Sequence, residues 1–214
     1  MRVPKHIGII PDGNMLWDIN NNLQKELYYK QEINSVIELF KLCQEEGIEE
    51  LTFYVDNLDN SKHPYIEKES FTKASMDAIM LLTKEDCEIL VVGYSDIHSF
   101  PSSLLPFTKE RKKFGKGGIK VNFLIHYSWI WDLNFRKEFC PLGKHINPRL
   151  KSREISNIDL IIRWGGLRRL SGFLPVQSTY ADFYAIDDMW LDFKNQHLYD
   201  ALNWYAKQDS NLEY

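Results

Sequence analysis

Short apolar runs separated by stretches of helical periodicity restrict this chain to a layered α/β structure. The runs are His6–Ile10, Leu51–Val55, Ile89–Gly93, Ile119–His126 and Leu160–Arg163, with a weaker one at Phe183–Ile186. Most are continuously apolar rather than alternating, the pattern of strands covered on both faces. Between them, Ile33, Val36, Ile37, Phe40 and Cys43 follow the i, i+3, i+4, i+7 rule, with Gly47 in the position of a C-terminal cap. Phe71, Ala74, Ala78 and Leu82 form a second stripe behind a candidate N-cap, Ser70, and a third helix closes the chain over Leu198–Tyr205. Strands alternating with helices predict one α/β domain over residues 1–214, with a mostly parallel central sheet of about six strands flanked by helices. A chain of this length buries a sizeable core, and no repeat, low-complexity tract or linker divides it. In such sheets ligands gather beyond the carboxyl ends of the strands.

Composition narrows the function classes. A formal net charge of −4 carries no basic excess, so nucleic acid is not an expected partner. Cys43, Cys87 and Cys140 are far apart and form no Cys-x-x-Cys pair, which argues against a zinc site or a disulfide framework and suits a reducing cytoplasm. The opening segment has only a four-residue apolar run, too short for a signal peptide. No stretch approaches the ~20 apolar residues of a membrane span. A soluble cytoplasmic domain is expected. Phe114–Gly118 and Pro141–Lys151 read as loops, and the basic run Lys109–Lys116 as a solvated helix end. His6, His63, His98, His126, His145 and His197 show no ligand spacing, and Asp187 and Asp188 read as turn residues.

Two segments carry chemistry. The first strand delivers Pro11-Asp12-Gly13-Asn14 to its carboxyl end. Gly13 permits close backbone approach, following N–H groups could cradle phosphate, and Asp12 is placed to hold Mg²⁺ against a diphosphate. The second segment runs from Asp159 to Phe193. Its strand ends at Arg163, followed by a Gly-Gly turn, Arg169 and Ser171. Two guanidiniums and a hydroxyl at one sheet edge suit a diphosphate, since Arg matches phosphate geometry in bidentate fashion. Surface salt bridges are the plainer alternative for such arginines. Asp182 lies further on, at the head of the last apolar run.

Together these segments resemble the first and last signature regions of the cis-prenyltransferases, the undecaprenyl diphosphate synthase family. His6, Ile10, Asp12, Gly13, Asn14 and Trp17 match the first pattern. Asp159, Leu160, Ile162, Arg163, Gly165, Gly166, Arg169, Ser171, Phe173, Gln177 and Tyr180 match the last, with MWLDF beyond. Between them, LTFYVDNLDNSKHP keeps the family's Tyr54, Asn60 and Pro64. The resemblance implies Mg²⁺-dependent transfer between isoprenoid diphosphates by a homodimer. It gives Asp12, Asn14 and Asn60 catalytic roles. Gly13, Trp17, Lys25, Arg163, Arg169 and Ser171 would bind substrate, and Asp12 and Asp182 the metal. It would also turn the stripe Phe71, Ala74, Ala78 and Leu82 toward a hydrocarbon tunnel, for which ordinary core packing is the plainer alternative.

The chain departs from the family mainly on the allylic side. Met15 and Leu16 stand where the family has Gly-Arg or Arg-Arg, Tyr28 and Tyr29 where it has Gly-His, and Leu167 where it has Glu. Asp182 replaces a Glu. Trp129, Trp131 and Phe123 are bulky enough to shorten a pocket and offer ring faces to a cation. The resemblance therefore implies a prenyltransferase with a short or irregular product, as in lavandulyl-type synthases. The alternatives are a terpene-synthase-like enzyme that ionises one prenyl diphosphate and a non-catalytic partner subunit.

Overall fold

The computed structural model describes residues 2–12, 22–57, 65–133 and 150–208. Side chains in the helices that open the second and third stretches are described from Glu26 and Lys73 onward. Seven strands form one sheet among the described residues: β1 (His6–Ile10), β2 (Glu50–Tyr54), β3 (Cys87–Val92), β4 (Lys112–Phe114), β5 (Ile119–Leu124), β6 (Leu160–Arg163) and β7 (Asp182–Ala185). Their order is β4-β3-β5-β2-β1-β6-β7, and every pairing is parallel except β3 with β4. The parallel strands fall where the apolar runs predict them, within two residues.

One expectation is corrected at the basic run. A short helix, α3 (Leu105–Lys109), ends at Lys109, and the rest of the run forms the seventh strand, β4, on the sheet edge. Three residues with two lysines are too short and too charged to register as a strand in sequence, and lysine on a short edge strand opposes pairing with other chains.

Helices α1 (Asn22–Glu45), α2 (Tyr65–Leu82) and α4 (Asn195–Tyr205) cover one face. There Val36, Leu39, Phe40, Ala78, Ile79, Leu82, Leu198 and Ala201 pack on Ile7, Ile9, Leu51, Phe53, Ile89, Val121 and Phe123. Gly47, with φ +76, ends α1 in the left-handed conformation that glycine adopts without a Cβ penalty. The proposed N-cap Ser70 lies inside α2, which begins five residues earlier at Tyr65. The apolar stripe marks the buried face of a helix, not its first residue.

The other face is covered by irregular chain. Ile155, Ile158, Phe173 and Leu174 pack on Ile10, Tyr54, Leu90, Leu124 and Ile161. Gly8 makes this possible on β1, since a Cβ there would meet the Phe173 ring at 2.6 Å. The same face holds a buried polar network near the amino ends of β1, β2 and β5. His6 Nε2 bonds Thr52 Oγ1 at 2.8 Å, Asn122 donates to Thr52 at 2.9 Å and to Glu50 at 2.7 Å, and Ser156 donates to Glu50 at 2.6 Å. Burial pushes the His6 pKa down, so the ring sits neutral in this network. His6 therefore serves the fold. No helix among the described residues is long and apolar enough to cross a membrane.

Candidate functional site

The carboxyl edge of the sheet brings Asp12 and Arg163 together. The β1–β6 register sets Ile10 level with Arg163, and Asp12 follows two residues later. The backbone there is fixed from both sides. Asp12 N–H donates to the Ile10 carbonyl at 3.0 Å, the Asp12 carbonyl accepts from Trp190 N–H at 3.1 Å, and Trp164 N–H donates to the Ile10 carbonyl at 3.1 Å. Arg163 is buried, with 3% of its side chain exposed, whereas Asp12 keeps 34%. The guanidinium donates through Nη2 to Asp12 Oδ2 at 2.5 Å and through Nη1 to Ser171 Oγ at 2.8 Å and to the Arg169 carbonyl. Its buried Nε has no acceptor among the described residues.

The Gly-Gly turn makes this geometry possible. Gly165 and Gly166 take φ of +80 and +72, and their N–H groups donate to the Asp188 and Ile186 carbonyls, each at 2.9 Å. The chain then doubles back over the sheet edge. Tyr54 Oη donates to the Ser171 carbonyl at 3.1 Å, and Ser171 is itself left-handed, with φ +50. A serine held there indicates local strain overcome by these contacts. The outcome divides the labour among the three C-terminal candidates. Arg163 is an internal brace that supplies buried positive charge, while Arg169 and Ser171 remain exposed to incoming oxygen atoms.

The other candidates are distributed differently. Gly13, Asn14, Trp17 and Asn60 lie outside the described residues, as do the departures Met15 and Leu16 and the histidine His63. The Lys25 side chain lies outside them too, although its backbone belongs to α1. Tyr29 does not open toward the edge; its hydroxyl bonds Asp77 of α2. Leu167 is exposed in the loop after the Gly-Gly turn. Ala74, Ala78 and Leu82 are fully buried, and Ala78 and Leu82 belong to the main core, as the plainer alternative held. The Phe71 side chain is outside the described set. Phe123 stacks on Phe53 at 5.3 Å within that core, Trp131 meets Tyr127 edge-on at 6.5 Å, and Trp129 is partly exposed.

Asp182 stands apart from Asp12 within the chain. Its strand runs parallel to β6, with Asp182 level with Leu160 and Ala185 level with Arg163. Three residues of strand, roughly 10 Å, separate the levels of Asp182 and Arg163. Because parallel strands need a crossover, the chain leaving Arg163 returns to the opposite edge before β7 begins. There Asp182 pairs with Arg2 at 3.4 Å, and Arg2 stacks on the Tyr205 ring at 4.2 Å. Asp12 and Asp182 of one copy of the chain do not close on one ion.

Among the described residues, no group of three or more His, Cys, Asp or Glu side chains converges as a metal cage. The single part-exposed carboxylate of Asp12 nevertheless fits Mg²⁺, which uses one or two protein carboxylates and takes its remaining ligands from substrate phosphate and water. The edge therefore offers one carboxylate for a metal, an exposed guanidinium and hydroxyl for phosphate oxygens, and a buried guanidinium tying them together.

A second pair escaped the sequence reading. Asp56 and His126 follow β2 and β5 by two residues each, and the ring Nδ1 bonds the carboxylate. Each residue is unremarkable in its own segment. The register of the strands is the signal that joins them.

Comparison with known proteins gives a consistent assignment. Residues 10–213 match the family model described as "Putative undecaprenyl diphosphate synthase". The ditrans,polycis-undecaprenyl-diphosphate synthase, (2E,6E)-farnesyl-diphosphate specific, of Yersinia pseudotuberculosis is 28% identical over 97% of this chain and 89% of its own length. The enzyme of the same description from Escherichia coli is 27% identical over 96% of this chain and 88% of its own. Among solved structures, lavandulyl diphosphate synthase from Lavandula x intermedia, in complex with dimethylallyl diphosphate, superposes with a TM-score of 0.78 at 19% identity, covering 97% of each chain.

Proposed function

Since this chain belongs to the undecaprenyl diphosphate synthase family, the cis-prenyltransferases, we propose that it is a Mg²⁺-dependent prenyltransferase that joins isoprenoid diphosphates into a short or irregular product. The observation that carries this reading is the contact between Asp12 and Arg163 at the carboxyl edge, beside exposed Arg169 and Ser171. Arg169 and Ser171 receive one diphosphate, and Arg163 holds the Asp12 carboxylate and the Ser171 hydroxyl in place. Mg²⁺ bound to Asp12 and diphosphate supplies charge neutralisation for the leaving group. Donors fixed before the reaction stabilise the charge that grows as the allylic C–O bond breaks, generally a large catalytic contribution.

Two features favour a product unlike that of the long-chain relatives. An allylic-side cation and the Glu after Gly-Gly are replaced by Leu16 and Leu167, and the ring of Phe123 fills space in the core beside β2. Gly13, Asn14, Trp17, Lys25 and Asn60 complete the substrate side in this proposal, and the working unit is a cytoplasmic homodimer. The test incubates purified protein and Mg²⁺ with dimethylallyl, geranyl, farnesyl and geranylgeranyl diphosphates, each alone and paired with isopentenyl diphosphate or with a second allylic diphosphate. Mass spectrometry then identifies the products. A coupled prenyl chain is expected. Diphosphate release with a product of unchanged carbon number, or no reaction at all, counts against transfer.

A further inference from the structure

Three neighbouring parallel strands end level with one another, and each places an ionisable side chain two residues past its end. Ile10, Tyr54 and Leu124 are the last residues of β1, β2 and β5, and the register aligns Ile9 with Phe53 and Tyr54 with Leu124. Asp12, Asp56 and His126 therefore stand in a row along the carboxyl edge, with Arg163 beyond Asp12 on β6. The row is tied together by backbone and side-chain bonds. Asn57, next to Asp56, bridges to Tyr127, next to His126, and Asn57 and Tyr54 both donate to the Ser171 carbonyl, at 3.5 and 3.1 Å.

Hydrogen bonding fixes the tautomer of His126. An ionised carboxylate only accepts, so the ring nitrogen bonded to Asp56, Nδ1, carries the hydrogen. In the neutral ring the lone pair is then on Nε2. That atom is buried and has no hydrogen-bond partner among the described residues. The pair is well enclosed, with side chains of His126 and Asp56 exposed by only 14% and 9%, and the Phe100 ring stands edge-on to the imidazole at 5.9 Å. His126 also sits in the left-handed backbone region, with φ +51, a conformation of non-glycine residues found at functional positions. The other described histidines are unsuited. Both nitrogens of His6 and of His197 are occupied, and His98 is an exposed loop residue.

We propose that His126, oriented by Asp56, is the base that takes the proton released when two prenyl units couple; this rests on the transferase reading above. The allylic C–O bond breaks with its electron pair leaving on diphosphate. The second unit's π electrons form the new C–C bond and leave a tertiary cation. A neighbouring C–H bond then breaks, its electrons form the new double bond, and the proton passes to His126 Nε2. The imidazolium is stabilised by the Asp56 carboxylate until it returns the proton to water, an arrangement that orients the base and offsets its charge. His126 is a catalytic residue and Asp56 a positioning residue.

The test compares wild type with His126→Gln, His126→Ala and Asp56→Asn, using the diphosphate pair that wild type couples. Removing a general base costs about 100-fold or more in kcat. His126→Gln is expected to show that loss with KM nearly unchanged, and a larger isotope effect with the acceptor diphosphate of that pair deuterated at the carbon that loses the proton. Added imidazole should restore part of the His126→Ala rate, which a packing defect would not allow. Asp56→Asn should lower kcat with KM and the melting temperature held. If His126→Gln does not fold, Asp56→Asn and imidazole rescue of His126→Ala carry the same decision. A rate within threefold of wild type for His126→Gln, or no isotope-effect change and no rescue, overturns this role while leaving the transferase reading intact. A wild type that couples no pair overturns the transferase reading, and this role with it.

Discussion

Replacing Asp12 separates its two duties. In Asp12→Asn the amide oxygen can still accept from Arg163 Nη2, which now lies 2.5 Å from the carboxylate. In Asp12→Ala nothing accepts, and a guanidinium with only 3% of its side chain exposed loses its carboxylate. Breaking a fully buried pair by removing one partner costs about 3–5 kcal/mol. The carboxylate is 34% exposed, so water reaches the vacated position, and a hydrogen bond to a charged group of about 1.5–3 kcal/mol is the better measure. At about 2–4 °C per kcal/mol for a chain of this size, Asp12→Ala should melt roughly 3–12 °C below wild type. Asp12→Asn should melt within about 3 °C of it, on the same scale. Turnover behaves otherwise: both variants lose the anionic ligand, so both should fall at least ~1000-fold, near the upper part of the range for losing a main electrostatic contact. Scanning calorimetry and a radiolabelled product assay measure the two effects. Near-wild-type turnover by Asp12→Asn would refute the metal-ligand role, and equal melting of the two variants would refute the brace.

Three further outcomes test the frame around the site. Asp132 is buried and accepts from Tyr127 Oη at 2.7 Å, Ser152 N–H at 2.8 Å and Ser152 Oγ at 2.6 Å, so Asp132→Ala strands three donors. A loss of ~3 kcal/mol or more is expected in urea titration, and a change below ~0.5 kcal/mol would contradict the network. Gly8→Ala should cost about 1–3 kcal/mol by overpacking, because the new methyl carbon would sit 2.6 Å from the Phe173 ring; an unchanged melting temperature would show the ring moves freely. Burial pushes the Glu32 carboxyl up to about 8, offset only in part by the Trp190 indole. Its folded form holds a proton that the unfolded chain has released, so wild-type stability should fall as pH rises from about 4.5 toward 8, by a few kcal/mol at most. Glu32→Gln should remove that slope in denaturant titrations across the range, and parallel profiles would sink the assignment.

How much of this was legible beforehand differs by level. The parallel strands announce themselves because each is buried on both faces and reads as an apolar run; His6–Ile10 and Leu160–Arg163 agree residue for residue. The Asp12–Arg163 meeting was anticipated because both residues end such runs. β4 was not, since an edge strand of three residues has no buried face to imprint a pattern. Motif spacing says nothing about strand direction; only the register shows that Asp182 stands at the opposite edge of the sheet from Arg163 of the same chain. Asp56 and His126 are 70 residues apart and share no local signal; only pairing of β2 with β5 joins them. Arg163 reads in sequence as a ligand-facing cation; in the fold its guanidinium is buried against Asp12 and Ser171, a burial no local pattern announces, while Arg169 and Ser171 are exposed.

The most direct test is a crystal structure with Mg²⁺ and the non-hydrolysable dimethylallyl thiodiphosphate. The diphosphate is expected within hydrogen-bond distance of Arg169 and Ser171, with the ion ligated by Asp12. Density for the diphosphate at the Asp182 edge, or an ion that leaves Asp12 uncoordinated, would contradict it.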